Sequence, residues 1–375
     1  MIPGGIYVHL PYCASRCGYC AFVVTTDGSS RDRYLEALHR EVRLLAQEAE
    51  GVPFDSVYLG GGTPSLLPAS AISRLLAGLR EAFAIAPDAE VTLEANPEDV
   101  TREAIDAWRA AGVNRISAGI QSLADGELAA VGRRHDAARA RHALALLVAS
   151  GLSVSGDLIL GLPGQTSESF RGSLAGLAEA GVEHVSVYLL EAEKSPALEE
   201  DRRIHPERYL SDDAQADSWL ELGADLERRG FEHYEISNWA RPGRRARHNG
   251  KYWVRADTLG LGVAAHELWR GRRRANVSSL EQYAGLLGLG KRPVALDRPV
   301  TASEAEKERV FLGLRLSEGV PVAWVEALVS GTEDVRLWTD YEGWIAERVL
   351  ERAGDRVRFT ERGFLVSNEV LSRFV

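Results

Sequence analysis

Cysteine is scarce in this sequence, and acidic residues outnumber basic ones. The 375 residues include three cysteines, and an odd number of thiols makes a disulfide framework a poor interpretation. The formal net charge is −10, which argues against a general nucleic-acid-binding surface, because such a surface needs an excess of basic residues. We therefore expect no nucleic-acid partner.

Long apolar runs are also missing. The heptapeptide ALALLVA at 143–149 is among the longest, far short of the ~20 residues that span a bilayer. The N-terminal sequence MIPGGIYVHL has neither the basic region nor the long apolar core of a signal peptide. These absences predict a cytoplasmic protein, in a compartment where thiols stay reduced.

Short β-rich runs alternate with longer helical patterns up to about residue 237. The predicted strands cover 6–10, 56–60, 91–95, 115–121, 153–160, 184–190 and 232–237. The predicted helices cover 31–50, 69–84, 103–111, 137–150, 168–180 and 214–229. Because strand, helix and strand recur at this spacing, the sequence predicts an α/β fold with a parallel sheet. Six or seven such units can curl into a partial TIM-like (β/α) barrel, and a doubly wound sheet is the competing arrangement.

Three units are expected along the chain. Residues 1–240 would form the partial barrel, and residues 241–299, rich in Gly, Arg and aromatic residues, would form an irregular connecting segment. Residues 300–375 combine helical patterns with a short strand, which predicts a small winged-helix-like α+β module. We interpret this module as a lid or packing domain, with DNA binding as the alternative.

All three cysteines lie within eight positions, in the loop that should follow the first strand. Cys13, Cys17 and Cys20 have the spacing C-x3-C-x2-C. A structural zinc site needs four ligands, and only His9 lies close by. Three thiolates can instead hold a [4Fe–4S] cluster and leave one iron open. We favour the cluster over zinc and over three unrelated structural thiols, because every thiol of the chain belongs to the motif.

The cysteine motif resembles that of the radical S-adenosylmethionine (SAM) superfamily, in which an aromatic residue, here Tyr19, precedes the last cysteine. The resemblance implies a partial barrel of the radical SAM type whose three cysteines hold a [4Fe–4S] cluster. It also implies that the amino and carboxylate groups of SAM chelate the open iron. Functional residues of barrels lie at the carboxyl ends of strands, and unusual residues of this chain recur there.

Glycine-rich and polar segments at the ends of the predicted strands are candidates for SAM binding. The stretch GGGTPS after the second strand allows a ligand to approach the backbone closely. Glu94 could accept hydrogen bonds from ribose hydroxyls or an amine, and Arg133 could face a carboxylate. Asp157 interrupts an apolar strand, where an acid is costly unless it is paired. The candidate SAM-binding residues implied by the resemblance are Tyr7, Tyr19, Gly61, Gly62, Thr63, Glu94, Gln121, Arg133 and Asp157.

Longer segments resemble one branch of this superfamily, which contains anaerobic coproporphyrinogen III oxidases and HemW-type heme chaperones. They are YVHLPYC, GGGTPS, EANPEDV, ISAGIQS, DLILGLPGQT, YEISNWA and the C-terminal module, which resembles the HemN-type domain. Three features favour the chaperone group. The first strand begins at Ile6 without the extension that precedes it in the oxidases, and Ala21 and Phe22 follow Cys20 where the oxidases have a further cysteine. In addition, HNGKYW at 248–253 matches the pattern H-N-x-x-Y-W of the chaperone group. Ala21 also replaces a common aspartate, and Glu267 stands where a small residue is usual.

The stretch at 241–255 is basic and aromatic, and it fits the chemistry of a porphyrin. Arginine pairs well with carboxylates such as heme propionates, and aromatic rings pack on a flat macrocycle. The heme-binding candidates are His248, Asn249, Tyr252 and Trp253, and His248 and His266 are the candidate axial ligands. Single-stranded nucleic acid and a plain solvated loop are the alternatives for this stretch.

The resemblance therefore predicts a heme chaperone that carries a [4Fe–4S] cluster and SAM and transfers heme to an apo-hemoprotein. Contact with a membrane would be transient and would pass through that acceptor. The rival function is an enzyme, an oxygen-independent coproporphyrinogen III oxidase that performs oxidative decarboxylation by radical chemistry. A zinc-stabilised interaction module is the third alternative.

Overall fold

The computed structural model describes residues 2–331 and 335–374. Within those residues, twelve strands form one large sheet and three form a small one. The strands are β1 (Gly4–Leu10), β2 (Pro53–Gly61), β3 (Ala84–Ala95), β4 (Arg115–Gln121), β5 (Ser153–Leu160), β6 (His184–Leu189), β7 (Glu232–Glu235), β8 (Asn238–Ala240), β9 (Thr258–Leu261), β10 (His266–Trp269), β11 (Arg272–Asn276), β12 (Val294–Pro299), β13 (Val320–Pro321), β14 (Leu350–Ala353) and β15 (Arg356–Phe359).

Helices alternate with the strands through the first half of the chain and predominate near its end. They are α1 (Arg31–Ala46), α2 (Ala69–Ala82), α3 (Arg102–Ala111), α4 (Asp125–Ala130), α5 (Ala137–Ala149), α6 (Ser167–Ala180), α7 (Pro196–Ile204), α8 (Asp212–Arg228), α9 (Arg247–Trp253), α10 (Leu280–Gly288), α11 (Ala302–Gly313), α12 (Val322–Ser330), α13 (Val335–Ala346), α14 (Glu361–Leu365) and α15 (Ser367–Ser372). Across the described ranges, none of these helices combines the length and the apolar character needed to cross a bilayer.

Seven neighbouring strands of the large sheet are parallel, in the order β9-β1-β2-β3-β4-β5-β6. Strands β1 to β6 follow one another in space as they do in sequence. Because such crossovers are right-handed, this order places the connecting helices on one face and lets the sheet curl, whereas a doubly wound sheet reverses its order. The partial barrel predicted from the sequence is therefore confirmed.

The seventh parallel strand is not the predicted one. The sequence predicts it at 232–237, but β7 is short and pairs antiparallel with β8, and β9 takes the place beside β1. The expectation of an irregular segment at 241–299 is also wrong, because that segment contains α9, α10 and four strands of the large sheet. Tight turns obscure these strands in the sequence; Arg270 and Gly271, between β10 and β11, both have positive φ.

The parallel strands present an apolar face to the helices and a polar face to the barrel interior. In β2, Val57 and Leu59 are buried in the main hydrophobic core, whereas Ser56 and Tyr58 form hydrogen bonds with interior side chains. Successive residues of a strand point to opposite faces, so this alternation separates core from interior. The interior is consequently available for polar and ligand-binding groups.

The C-terminal residues form a small α+β domain with a hydrophobic core of its own. Its sheet has the order β13-β15-β14 and is antiparallel. Side chains such as Val325, Tyr341, Val357 and Phe364 are buried in the core beside it. The presence of the small domain agrees with the predicted fold, while the three domain boundaries stay a prediction.

Candidate functional site

The three cysteines lie in a loop that is anchored to the rim of the barrel. After β1, the base of the loop is closed by hydrogen bonds from Cys13 N to Thr25 O (3.0 Å) and from Thr25 N to Pro11 O (2.8 Å). Midway along, Gly18 N donates to Val131 O (3.0 Å). The loop is thus fixed at the carboxyl ends of the strands, where functional residues of barrels lie.

All three thiols line one cavity of about 420 Å³. Thr63 Oγ1 lies 3.5 Å from Cys13 Sγ, and Arg133 Nη1 lies 3.5 Å from Cys17 Sγ. Burial raises the pKa of the Cys13 and Cys20 thiols. The structure therefore places all three cysteines around one space.

The three thiols are separate lining residues of the cavity. The described side chains contain no group of three or more His, Cys, Asp or Glu residues arranged around one metal ion. A zinc ion would hold its thiolates roughly 4 Å apart, because Zn–S bonds are about 2.3 Å long. A [4Fe–4S] cluster is a larger body that attaches each thiolate to a different iron. Three thiols around one shared cavity form a donor set of the kind that such a cluster uses.

The glycine-rich turn after β2 packs directly on the cysteine loop. Gly62 N donates a hydrogen bond to Leu10 O, and Thr63 N donates one to Tyr12 O; both are 2.8 Å long. A Cβ on Gly62 would lie 2.8 Å from backbone atoms of the loop, which have little freedom to move away. Gly61 has φ +109°, a conformation that glycine adopts far more readily than other residues. Glycine is therefore required for the two loops to approach.

Glu94, at the end of β3, lies beneath this turn. Its Oε2 accepts a hydrogen bond from Gly61 N (3.0 Å), and its Oε1 accepts one from the Tyr58 hydroxyl (2.7 Å). Burial raises the pKa of Glu94 to about 7. The sequence analysis missed Tyr58, because the run SVYLG reads as uniformly apolar. Tyr58 could have been found from its position two residues before Gly60, which places it on the inward face of the strand.

Arg133 ties the cysteine loop to the neighbouring strands. Its Nη2 donates to Asn96 Oδ1 (2.7 Å) and to Gly119 O (2.8 Å), and its Nη1 donates to the Tyr19 hydroxyl (3.3 Å). The buried Nε has no hydrogen-bond partner within the part of the chain that the structure describes. One donor of the guanidinium therefore remains for a ligand, and Asn96 joins the cavity wall as a residue that the sequence analysis did not name.

Asp157 and Gln121 complete the cavity wall together with Tyr188, a residue that the sequence analysis missed. Asp157 accepts hydrogen bonds from Ser117 Oγ (2.7 Å) and Ser155 Oγ (3.0 Å), which is how the strand tolerates an acid. Burial raises the pKa of Asp157. Gln121 ends β4 with φ +66°, an uncommon conformation for a residue other than glycine.

Tyr7 lies behind the cavity wall and is not among its lining residues in the described structure. Its hydroxyl lies 3.0 Å from His9 Nδ1, and its ring stacks on Tyr58 with 6.2 Å between centroids. Burial raises the pKa of Tyr7 well above its usual value. The other eight candidates for SAM binding all line the cavity.

The four predicted heme-binding residues lie together on α9, away from the cysteines. His248 contacts Gly5 and Ser56, near the amino ends of β1 and β2. It is 1% exposed; its Nδ1 lies 3.0 Å from Ser56 Oγ and its Nε2 lies 3.0 Å from the Tyr252 hydroxyl. Burial lowers the pKa of His248 to about 3. Because both ring nitrogens are engaged, one of these hydrogen bonds must break before His248 can bind iron.

Asn249 and Trp253 face the boundary with the C-terminal domain. Asn249 Nδ2 donates to Glu235 Oε1 (3.4 Å), and the Arg315 guanidinium lies 5.5 Å from the centre of the Trp253 ring. Tyr252 is 38% exposed. The second candidate axial ligand, His266, is exposed and lies at the start of β10. Helix α9 thus sits between the barrel and the small domain.

Most basic side chains between residues 241 and 255 are paired with acids. The pairs are Arg244–Glu183, Arg245–Glu318, Arg247–Asp88, Lys251–Asp55 and Arg255–Glu308. The Arg241 guanidinium instead lies 4.8 Å from the centre of the Phe231 ring. Fewer cations are therefore free to meet propionates than the sequence pattern implies.

Two protein-family models match this chain. The radical SAM superfamily model matches residues 7–177, and the HemN C-terminal domain model matches residues 300–366. Among solved structures, coproporphyrinogen III oxidase (HemN) from Escherichia coli, a radical SAM enzyme, superposes with a TM-score of 0.86 at 26% identity. That superposition covers 99% of this chain and 90% of the other.

Curated relatives match nearly end to end. The heme chaperone HemW of Mycobacterium tuberculosis strain H37Rv is 38% identical over 98% of this chain and 94% of its own length. The heme chaperone HemW of Escherichia coli K12 is 32% identical over 100% of this chain and 98% of its own length. The mitochondrial radical S-adenosyl methionine domain-containing protein 1 of Bos taurus is 36% identical over 84% of this chain and 74% of its own length.

These likenesses cover the cysteine loop, the parallel strands and the C-terminal domain, so they concern the whole architecture rather than one motif. Identity above 30% over almost the full length of both chains confirms the resemblance drawn from the sequence. The chain belongs to the radical SAM superfamily, in the HemN-like family that includes the heme chaperones HemW.

Proposed function

We propose that this protein is a heme chaperone of the HemW type, which binds heme and transfers it to an apo-hemoprotein in the cytoplasm. The observation that carries the proposal is the likeness to proteins named heme chaperone HemW, at 31–38% identity over nearly the entire chain. Membership of the radical SAM family implies a [4Fe–4S] cluster and SAM as its cofactors. Any membrane association would pass through the acceptor.

Cys13, Cys17 and Cys20 would hold the cluster at the barrel rim. When bound, the cluster supplies an open iron that the amino and carboxylate groups of SAM can occupy. The fit is supported by the donor set, since three thiols surround one cavity and two of them already receive contacts from Thr63 and Arg133. Those two residues hold the thiols in place before any ligand arrives.

The polar groups of the cavity match the chemistry of SAM. The unpaired Nε of Arg133 is a donor suited to a carboxylate, and Glu94 can accept hydrogen bonds from an amine or from hydroxyls. Asp157 is held by Ser117 and Ser155, which orients its carboxylate toward the interior. The residues of this chain thus bind and orient the ligand, and the hard chemistry of such proteins belongs to the cofactor.

Helix α9 would contribute to the heme site through the exposed ring of Tyr252 and the neighbouring Trp253. Aromatic rings of this kind pack against a flat macrocycle. Ligation of heme iron by His248 would require one of its two hydrogen bonds to break, because Ser56 and Tyr252 occupy both of its nitrogens. His248 would therefore serve as a ligand only after Ser56 or Tyr252 releases it.

The proposal is tested by loading the purified protein with iron and sulfide under anaerobic conditions and then titrating it with heme. We expect a brown protein with iron and sulfide in a four-to-four ratio, as the cluster requires. Heme should then produce a Soret band that saturates at one heme per chain. A folded, cluster-loaded protein that gives no Soret band would contradict the heme chaperone assignment.

Replacing Cys17 with Ser tests the cluster site separately. The variant should lose the brown colour and most of its iron while its circular dichroism spectrum stays unchanged, because Ser is a poor iron ligand of similar size. Ser15→Ala, in the same loop, is the matched control and should retain the cluster. Full iron content in Cys17→Ser would remove Cys17 from the ligand set.

The oxidase remains the second candidate function, and the superposition on HemN over 99% of this chain favours it. The same anaerobic preparation, supplied with SAM, a reductant and coproporphyrinogen III, should form no protoporphyrinogen if the chaperone assignment is right. Catalytic formation of that product would instead identify the chain as an oxidase.

A further inference from the structure

Tyr58 touches both the cofactor cavity and helix α9. Its hydroxyl donates to Glu94 Oε1 (2.7 Å) inside the cavity. Its ring stacks on the imidazole of His248, with 5.3 Å between centroids and 28° between planes. The two proposed binding sites of the protein, which lie at different ends of the barrel strands, are therefore connected through one side chain.

The backbone leaves room for this contact. A Cβ on Gly60 would lie 2.7 Å from the Tyr58 ring and 3.0 Å from Glu94 Oε1. A Cβ on Gly5 would lie 3.2 Å from the His248 ring. Larger residues at either position would push the aromatic rings or the carboxylate aside, so the two glycines permit the stacked arrangement.

The position of the His248 ring depends on α9 as a whole. Its two nitrogens are held by Ser56 and Tyr252, and its backbone N donates to Glu90 Oε1 (2.9 Å). A shift of α9 must therefore move the imidazole, and the Tyr58 ring that stacks on it would have to follow or lose its contact.

On the cavity side, the same chain of contacts reaches the glycine-rich turn. Glu94 accepts hydrogen bonds from Tyr58 and from Gly61 N, so the orientation of its carboxylate depends on both. A ligand that engages Glu94 stabilises this orientation. Coupling between two sites through such a contiguous network changes affinities by typically 5–150-fold, and the effect is reciprocal.

We propose that Tyr58 is a positioning residue that couples occupancy of the cavity by SAM to the stability of helix α9. SAM bound against Glu94 would hold Tyr58 and, through the stacked rings, His248, which protects α9 from opening. An opened α9 would in turn release Tyr58 and weaken SAM binding. This inference rests on the proposed function insofar as it takes SAM to be the ligand of the cavity.

Hydrogen exchange of the α9 amides in the anaerobic, cluster-loaded protein tests the coupling, since exchange reports local opening. SAM at saturation should slow exchange of the peptide covering Arg247–Trp253 by at least about fivefold. In Tyr58→Phe, which keeps the ring and loses the hydroxyl, the slowing should fall below twofold, with SAM occupancy verified by equilibrium dialysis.

Tyr283→Phe is the matched control. Tyr283 also donates to a buried carboxylate, Glu41 (2.6 Å), whose pKa burial likewise raises to about 7. Tyr283 belongs to α10, and its ring lies 5.2 Å from the ring of Tyr34 on α1, tilted by 33°. The control should retain the full slowing of α9 exchange by SAM, so a loss in both variants would overturn the assignment to Tyr58.

A second variant keeps the test decisive if Tyr58→Phe fails to bind SAM. His248→Leu removes the imidazole that stacks on Tyr58 and leaves the pair of Tyr58 and Glu94 intact. It should bind SAM within about twofold of wild type while the SAM-dependent protection of α9 falls by at least half. Undiminished protection would overturn the proposal.

The outcomes separate this proposal from the proposed function. SAM binding by the wild-type protein without any change in α9 exchange would overturn the coupling and leave the cofactor assignment intact. Failure of the wild-type, cluster-loaded protein to bind SAM at all would contradict the cofactor assignment and the coupling together.

Discussion

At the scale of single residues, the buried acid Glu41 supports the strand that leads into the cysteine loop. The side chain is fully buried, and it accepts hydrogen bonds from Gly262 N (2.7 Å), Asn276 Nδ2 (2.7 Å) and the Tyr283 hydroxyl (2.6 Å). Gly262 in turn packs against the backbone of His9, just before the cysteine loop. Burial raises the pKa of Glu41 to about 7.

This raised pKa makes stability depend on pH. Between about 4.5 and about 7 the folded state keeps a proton that the unfolded state has released, so the stabilisation is complete at low pH and is lost as pH rises through 7. Relative to Glu41→Gln, the wild type should lose roughly 2–3 kcal/mol of unfolding free energy between pH 5 and pH 8. Urea unfolding at the two pH values measures the difference.

The comparison removes contributions of other titrating groups, because those groups are present in both proteins. Glu36→Gln, at an exposed position of the same helix, is the control and should follow the wild type at both pH values. Equal pH dependence of the wild type and Glu41→Gln would contradict the interpretation.

At the scale of elements, helix α9 begins on a cap supplied by a distant strand. Ala246 precedes the helix and offers no capping side chain. Glu90 of β3 supplies the acceptors instead. Its two carboxylate oxygens accept hydrogen bonds from Arg247 N and His248 N, each 2.9 Å long. An acid at the amino end also interacts favourably with the helix dipole.

Removing this cap should loosen α9 specifically. Glu90→Ala leaves the buried amide of His248 and the partly buried amide of Arg247 without this acceptor and should cost about 1–2 kcal/mol of local stability. Hydrogen exchange of the α9 peptide should accelerate by roughly five- to thirtyfold, the equivalent of that free energy. Glu81→Ala, exposed near the end of α2 just before this strand, is the matched control and should leave α9 exchange unchanged.

At the scale of the whole molecule, Glu308 of α11 attaches the small domain to the large sheet. Its side chain is 11% exposed and pairs with Arg255 Nε (2.5 Å), just after α9, and with Arg273 of β11. These three residues come from separate parts of the chain. They fix the start of the small domain against α9 and against the antiparallel edge of the barrel.

Glu308→Ala leaves the largely buried Arg255 and the partly exposed Arg273 without their acid, and a buried charge that loses its partner is destabilising. We expect a loss of roughly 1–3 kcal/mol, measured as a lower urea midpoint, with faster hydrogen exchange in α11. Glu306→Ala, exposed on the same helix, should behave as wild type. An unchanged midpoint in Glu308→Ala would show that the domain is held by other contacts.

Most of the fold could be predicted because local sequence patterns determine its strands and helices. The six strands β1 to β6 and the helices between them, apart from the short α4, follow from alternating β-rich and helical runs, each of which is continuous in sequence. Strand β9 and the edge strands β10 to β12 could not be predicted this way, since each is short and is stabilised by neighbours that lie far away in the chain.

The sequence by itself determined the cysteine motif, the glycine turn and the acids at strand ends, because spacing along a strand or loop settles where such residues emerge. Only the tertiary structure decided that Tyr58 joins Glu94 to His248, that His248 is buried, and that the arginines after residue 241 are mostly paired. The physical reason is that these contacts join residues far apart in sequence; Ser56 and His248, for example, are separated by 192 positions. No pattern within a single strand or helix encodes such a pairing.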